Sequence, residues 1–238
     1  MRKRVISIFA VSVLLSTMSL PYLSLFEVRS LSLDPFSASV AGIGRATRHA
    51  VGSNRFSSRF SSLEDELLSL SYIRNVSLSP NSFMSYDVVL EYSDGMILTD
   101  GKSFYFFSSE GIEPLDESDA FPLLKRYIPL LMTEEMLSYV LSYPDEPLFS
   151  SLLTLLMDIS SQNGYNGNLI GRAEYFLSPA RGFGELRLYG MDDSFILIVH
   201  DATSSDVILS SLEAIREIEG EDPMVFDLED NILLRRLN

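Results

Sequence analysis

The chain has 238 residues, of which 18 are Lys or Arg and 33 are Asp or Glu, so that its formal net charge is −15. A hydrophobic content of 46%, with 15 Phe and 11 Tyr, supplies core material for one or two folded domains. The negative charge of the body disfavours nucleic acid and anionic lipid headgroups as partners. Cysteine is absent, which excludes disulfides, thiolate metal sites and the lipid-modified cysteine of a bacterial lipoprotein.

An uncharged apolar segment covers residues 5–26, directly behind the basic residues Arg2, Lys3 and Arg4. As a helix, this segment would be about 33 Å long, which matches the hydrocarbon core of a bilayer. The basic residues before it and the acidic body after it orient the N-terminus to the cytoplasm. The sequence therefore predicts a cytoplasmic tail at residues 1–4, a transmembrane signal-anchor helix at 5–26, and an extracytoplasmic body held at the bacterial inner membrane.

The same segment has a second interpretation, which is a signal peptide that is cleaved after export. Its most apolar stretch, residues 5–15, is short, and the small residues at 16–19 resemble a cleavage region. Against cleavage, no Ala-x-Ala site follows, and the apolar character resumes at residues 20–26. Both interpretations export the body, and the uncleaved anchor is the prediction.

Mass spectrometry of the native protein tests the anchor. We expect an N-terminus that retains residues 5–26, because an uncleaved span of this length and polarity remains in the bilayer. A mature N-terminus anywhere between Ser16 and Glu27 would contradict the prediction.

The first part of the body is expected to begin with a strand and a weak helix. Residues 26–33 alternate apolar and polar side chains, as a half-buried strand does. Residues 38–51 are a helix candidate, which Gly42 and Gly44 each weaken by about 1 kcal/mol relative to Ala. The two glycines do not make a dinucleotide-binding fingerprint, because Thr47 stands where the third glycine is needed.

A second helix is predicted from Ser61, whose spacing to Glu64 is that of a capping box. Three apolar side chains fall on one face of this helix: Leu63, Leu67 and Leu70. Strands follow at residues 73–79 and 86–92, joined by a turn at residues 79–82. The expected order is strand, helix, helix, strand, strand, with the helix packed on a three-stranded sheet.

The remaining residues predict a larger, mixed β-sheet with helices. An acidic, proline-containing stretch at residues 113–119 reads as a loop, and Ser204, Ser205 and Asp206 can cap a helix that ends at Gly220. The buried stripe of that helix is Ile208, Leu212 and Ile215. The predicted strands are 96–99, 103–108, 169–177, 183–189, 194–200, 224–228 and 232–237, and the other predicted helices are 133–142 and 147–160.

No residue pattern predicts catalysis or metal binding. His200 followed by Asp201 invites a hydrolase interpretation, but no Gly-x-Ser-x-Gly elbow accompanies it. Two histidines, His49 and His200, cannot by themselves make the multi-histidine sites that zinc or copper favours. Adjacent carboxylates such as Asp192 and Asp193 are typical of solvated surfaces. We therefore predict no catalytic residue, no metal and no cofactor.

The chain resembles the FtsQ/DivIB family of bacterial cell-division proteins, and three places carry the resemblance. Residues 63–79 resemble the helix, turn and strand of the family's POTRA domain. Residues 104–111 and 121–124 resemble the landmarks that open its β domain. Residues 184–236 resemble its C-terminal end, although the family's Asp-Leu-Arg stands here as Asp-Leu-Glu, starting at Asp227.

The resemblance implies an α+β fold with a POTRA-like domain at residues 27–98 and a β domain at residues 99–238. It implies a non-enzymatic divisome scaffold whose periplasmic part binds the small bitopic division proteins FtsB and FtsL. Two other classes stay open. One is a secreted or periplasmic POTRA-type binding module released by signal cleavage, and the other is an envelope hydrolase.

The last predicted strand is the candidate partner-binding site, because an open sheet edge presents unpaired N–H and C=O groups to another strand. Arg235 and Arg236 are the expected polar determinants, or else they only keep the edge soluble. Pro at Leu234 is expected to remove one backbone donor from the edge. The candidate residues are Ile232, Leu233, Leu234, Arg235, Arg236 and Leu237.

Overall fold

A computed structural model describes residues 26–144, 147–165, 169–176, 184–200, 203–218 and 224–236. These residues form a mixed α+β protein with a three-stranded and a nine-stranded sheet, as the sequence predicted at that level. The chain divides into two compact units, unit 1 at Met1–Ser93 and unit 2 at Asp94–Asn238. The predicted membrane span lies outside the described residues except for Phe26. Within the described ranges, no helix is long and apolar enough to cross a membrane.

Unit 1 follows the predicted order of strand, helices, strand, strand. Its sheet has the order β1-β3-β2, in which β1 is parallel and β2 antiparallel to β3. The first strand is shorter than predicted, because Glu27 bridges Asn54 and the Val28 N–H donates to the Ser53 carbonyl instead. The elements are β1 (Ser30–Ser32), α1 (Pro35–Ser39), α2 (Ala41–Ala50), α3 (Ser58–Ser61), α4 (Leu63–Leu68), β2 (Ile73–Ser82) and β3 (Ser85–Tyr92).

Helix α4 buries two of its three predicted apolar side chains. Leu63 and Leu67 are fully buried, whereas Leu70 lies beyond the end of the helix and is half-buried. The predicted capping box at Ser61 is wrong, because Ser61 is the last residue of α3. Instead, the Ser62 hydroxyl donates to Glu66 Oε1 over 3.1 Å.

The predicted turn at residues 79–82 is also wrong. Strand β2 continues through Pro80, which pairs with Tyr86, and the turn falls at Phe83 and Met84. Proline is tolerated here because β2 is an edge strand in which a missing N–H breaks no sheet hydrogen bond. Met84 takes the left-handed conformation, with φ of 58°, that closes the hairpin.

Unit 2 is built on the nine-stranded sheet β12-β11-β10-β9-β8-β7-β4-β5-β6. The predicted domain boundary at Leu98 falls inside β4, which pairs with β5 and β7. The division between the units therefore precedes β4. The elements are β4 (Gly95–Thr99), β5 (Phe104–Ser108), β6 (Gly111–Leu115), α5 (Glu117–Leu123), β7 (Pro129–Leu131), α6 (Glu134–Ser142), α7 (Pro147–Tyr165), β8 (Ile170–Phe176), β9 (Glu185–Gly190), a 3-10 turn (Met191–Asp193), β10 (Phe195–Val199), α8 (Ser205–Arg216), β11 (Met224–Glu229) and β12 (Ile232–Arg235).

Helices α6, α7 and α8 contribute side chains to the main core, which lies on one side of the sheet. We call this side the inner face of the sheet. The stripe predicted for α8 is confirmed, since Ile208, Leu212 and Ile215 are all at most 1% exposed. Strands β6 and β7 were not predicted. In β6, Pro114 stands opposite Tyr105 at the sheet edge, where proline is allowed, so the predicted loop at residues 113–119 is partly strand.

Candidate functional site

Strand β12 ends the large sheet and presents an apolar, basic edge. Within the part of the chain that the structure describes, β12 pairs only with β11. A two-residue turn joins the two strands, with φ of 52° at Asp230 and 62° at Asn231. Ile232 and Leu234 are 59% and 54% exposed, whereas Leu233 is half-buried against the core. Of the six predicted residues, Leu237 lies outside the described residues.

The hydrogen-bond ladder fixes which backbone groups of β12 face outward. The Arg236 N–H donates to the Val225 carbonyl over 2.8 Å. Hydrogen-bonded and non-bonded residue pairs alternate in an antiparallel ladder. The N–H and C=O groups of Leu234, two residues before Arg236, are therefore also hydrogen-bonded to β11. The N–H and C=O groups of Leu233 and Arg235 therefore point away from β11. The expectation that Pro at Leu234 removes an edge donor is wrong. The Leu234 N–H is bonded to β11, so proline at this position would break the β11–β12 hairpin.

The two arginines differ in their surroundings. The Arg236 side chain is bound by the Asp227 carboxylate, which also lies 3.2 Å from His200 Nε2. This hydrogen bond to Asp227 raises the pKa of Arg236. Arg235 stands opposite Phe226 and is exposed, and it makes no ion pair with any residue that the structure describes. Arg235 is therefore the arginine whose charge is open to a partner.

The outward side chains of β8 and β9 form two more charged groups on the outer face, which is the opposite side of the sheet from the main core. Tyr189 lies on this outer face, yet it is only 8% exposed, because the Arg172 guanidinium lies 3.9 Å from its ring centroid. Burial and the 2.7 Å hydrogen bond from its hydroxyl to Glu174 raise the pKa of Tyr189. Arg187 binds Glu185 over 2.6 Å. These contacts hold charged side chains in place on the outer face of β8 and β9, the same face of the sheet that extends to β12.

His200, which was considered for catalysis, lies in this same region. The His200 imidazole is 13% exposed and contacts Asp227, with Glu185 at 4.0 Å from Nδ1. Asp201 lies outside the described residues. No group of His, Asp or Glu side chains suited to a metal ion occurs among the described positions. The geometry assigns His200 a place in the Asp227 and Arg236 network.

Comparison with protein-family models and with curated protein sequences finds no match for this chain. The resemblance to FtsQ/DivIB proteins therefore stays a prediction that depends on its motifs. Sequence reasoning singled out Arg236 but missed Asp227 as its partner. The Asp230-Asn231 turn could have indicated this pair. A two-residue turn there sets the β11–β12 register that brings the Asp227 and Arg236 side chains together.

Proposed function

We propose that this chain is a non-enzymatic bacterial protein that captures a partner polypeptide as an added strand at β12. The observation that carries the proposal is the outward pair of N–H and C=O groups at Leu233 and Arg235 on an exposed edge. A strand laid against these groups would satisfy them by main-chain hydrogen bonds. The exposed side chains of Ile232 and Leu234 supply apolar contact, and Arg235 attracts an acidic partner.

The resemblance gives this edge a biological setting. We propose that the chain is a bitopic divisome scaffold of the FtsQ/DivIB type, with unit 1 as its POTRA-like domain and unit 2 as its β domain. Its partners are then FtsB- and FtsL-like division proteins at the septum. The protein would be anchored in the inner membrane by residues 5–26, with both units in the periplasm. We expect the protein to stay in the membrane fraction after a carbonate wash, whereas a released binding module would appear in the soluble fraction.

A pair of substitutions at Arg235 tests the edge. Both Arg235→Pro and Arg235→Ala remove the charged side chain. Arg235→Pro also removes one outward N–H without removing a bond to β11, whereas Arg235→Ala keeps that N–H. We expect Arg235→Pro to reduce co-purification of the FtsB- and FtsL-like partners at least tenfold. Arg235→Ala should reduce it by a smaller factor. The difference between the two variants measures the backbone donor.

Two controls make the result decisive. Leu234→Pro should lose capture and also disturb the hairpin, which circular dichroism detects, whereas Arg235→Pro should keep the wild-type spectrum. If Arg235→Pro is folded and retains wild-type capture, strand addition at β12 is refuted and the partner must use another surface.

A further inference from the structure

The charge of the protein is divided unequally between its two units. Unit 2 carries nine basic and 26 acidic residues, a net charge of 9 − 26 = −17. The part of unit 1 that the structure describes, residues 26–93, carries six basic and seven acidic residues, a net charge of 6 − 7 = −1, since the three basic residues at positions 2–4 belong to the predicted cytoplasmic tail. All six basic residues of its described part are arginines. The charge argument against anionic lipid is therefore strong for unit 2 and weak for unit 1, which is close to neutral.

Three aromatic and two arginine side chains lie on or beside the segment at residues 26–29, where the described part of unit 1 begins. The backbone at residues 26–29 connects them, since the Arg55 N–H donates to the Phe26 carbonyl over 2.8 Å and the Arg29 N–H donates to the Met84 carbonyl over 2.7 Å. These bonds place the loop after Asn54 on one side of the segment and the turn of the β2–β3 hairpin on the other. We call this group the entry patch: Phe26, Arg29, Arg55, Phe56 and Phe83.

The entry patch is solvent-exposed although much of it is aromatic. Phe56 is 49% exposed and Phe83 is 56% exposed. The rings of Phe26 and Phe56 pack edge to face with centroids 5.3 Å apart. The Arg29 guanidinium lies 5.8 Å from the Phe83 ring centroid, and that of Arg55 lies 5.9 Å from the Phe56 centroid. The patch thus presents arginines and aromatic rings together.

The charges of the two arginines of the entry patch are not neutralised by ion pairs within the described residues. No ion pair of Arg29 or Arg55 occurs among the residues that the structure describes. The same segment contains one acidic residue, Glu27. The two guanidinium groups and this single carboxylate leave a local positive charge. Guanidinium groups bind phosphate through paired hydrogen bonds, and exposed phenylalanine rings can insert at the boundary between lipid headgroups and acyl chains.

We propose that the entry patch rests on the anionic phospholipid headgroups of the bilayer that holds the N-terminal anchor. The inference depends on the proposed anchor, because Phe26 is both the last residue of the predicted span and a member of the patch. A span that ends at Phe26 keeps Arg29, Phe56 and Phe83 at the height of the headgroups. Phosphates then bind Arg29 and Arg55, while Phe56 and Phe83 enter the interface. Unit 1 is oriented on the membrane by this contact.

Fluorescence quenching tests the contact, because the chain contains no Trp and one introduced Trp is the only indole signal. Full-length Phe56→Trp and Phe83→Trp are reconstituted in phosphatidylcholine vesicles with or without phosphatidylglycerol, each containing a spin-labelled lipid that quenches near the headgroup. We expect at least twofold stronger quenching with phosphatidylglycerol. Phe121→Trp is the control, because Phe121 is 54% exposed in unit 2 and should show no such quenching.

A matched pair of charge variants isolates the role of arginine. Arg55→Gln in the Phe83→Trp chain should reduce quenching at least twofold in anionic vesicles. Lys102→Gln removes the same charge from an exposed site of unit 2 and should leave quenching unchanged. Equal quenching in neutral and anionic vesicles would overturn the proposal, and so would quenching no stronger than that of Phe121→Trp.

Flotation of the vesicles on a density gradient reports the anchor separately. A protein that floats without Trp quenching overturns the lipid contact and leaves the anchor intact. A protein that does not float overturns both. Neither outcome bears on strand addition at β12, which is measured by partner capture.

Discussion

Replacing Leu67 by Ala is expected to lower the free energy of unfolding of unit 1 by about 2–5 kcal/mol, the usual range for a buried leucine. The Leu67 side chain is fully buried in α4, a helix of only six residues that packs on β2. A helix this short is not stable by itself. Its buried face therefore supplies most of its stability. Removing Leu67 takes apolar contacts from the helix and leaves a cavity beneath it.

Leu68 provides a control at the next position of the same helix. Its side chain is 41% exposed, so Leu68→Ala should change the free energy of unfolding by less than about 1 kcal/mol. Urea unfolding in detergent can follow unit 1 alone through Trp fluorescence in a Phe56→Trp background. If Leu67→Ala and Leu68→Ala have equal effects, the assigned burial of α4 is contradicted.

The elements that the sequence predicted well are those whose burial repeats at a fixed spacing. Helix α8 places Ile208, Leu212 and Ile215 toward the core at helical spacing, and β9 does the same with Leu186 and Leu188 at strand spacing. Each element faces one core throughout its length, so the pattern of side chains is visible in the local sequence.

Strands that depend on distant partners were missed for the opposite reason. Strand β7 has three residues and is held between β4 and β8, both far from it in the chain. Strand β6 was missed for a different reason, since its partner β5 is only two residues away in the chain: it contains Pro114, which local rules assign to a loop but which is tolerated at the sheet edge. Neither pairing leaves a periodic signal within the segment itself.

The candidate edge was predictable in place but not in detail. The sequence predicted the last strand as the open edge, and β12 ends the large sheet among the described residues. The outward direction of the N–H groups depends on the turn at Asp230 and Asn231, which fixes the bonded pairs. The separate surroundings of Arg235 and Arg236 follow from the same register, since adjacent residues of a strand face opposite sides.

The entry patch could not be predicted from residue order, because its members come from three parts of unit 1. Phe83 was expected to follow a turn, whereas it forms the turn itself. Phe56 had no assigned role. Hydrogen bonds at both sides of residues 26–29 bring the loop that holds Phe56 and the hairpin turn that holds Phe83 next to this segment, and only the fold reveals that both rings are exposed there.

Replacing Gly95 by Ala is expected to destabilise unit 2 by about 3 kcal/mol, at the upper end of the usual cost of overpacking. Asp94 and Gly95 read as a turn in the sequence, yet Gly95 is the first residue of β4 and is buried. A Cβ atom at Gly95 would lie 2.4 Å from the Phe107 carbonyl oxygen and 2.6 Å from Cζ of Phe106. The carbonyl belongs to the paired strand β5, so the clash can be relieved only by moving the sheet.

The same substitution at Gly44 should have the opposite sign, which makes the pair a sharp test. Gly44 lies in α2, where an added Cβ would meet only the end of the Arg48 side chain at 3.9 Å. Ala loses less conformational freedom than Gly in a helix, so Gly44→Ala should stabilise unit 1 by about 0.5–1 kcal/mol. Urea unfolding with Trp at position 121 for unit 2 and at position 56 for unit 1 measures both changes. If Gly95→Ala is as stable as the parent protein, the close packing of β4 against β5 is refuted, because no side chain fits in the space that the structure leaves there.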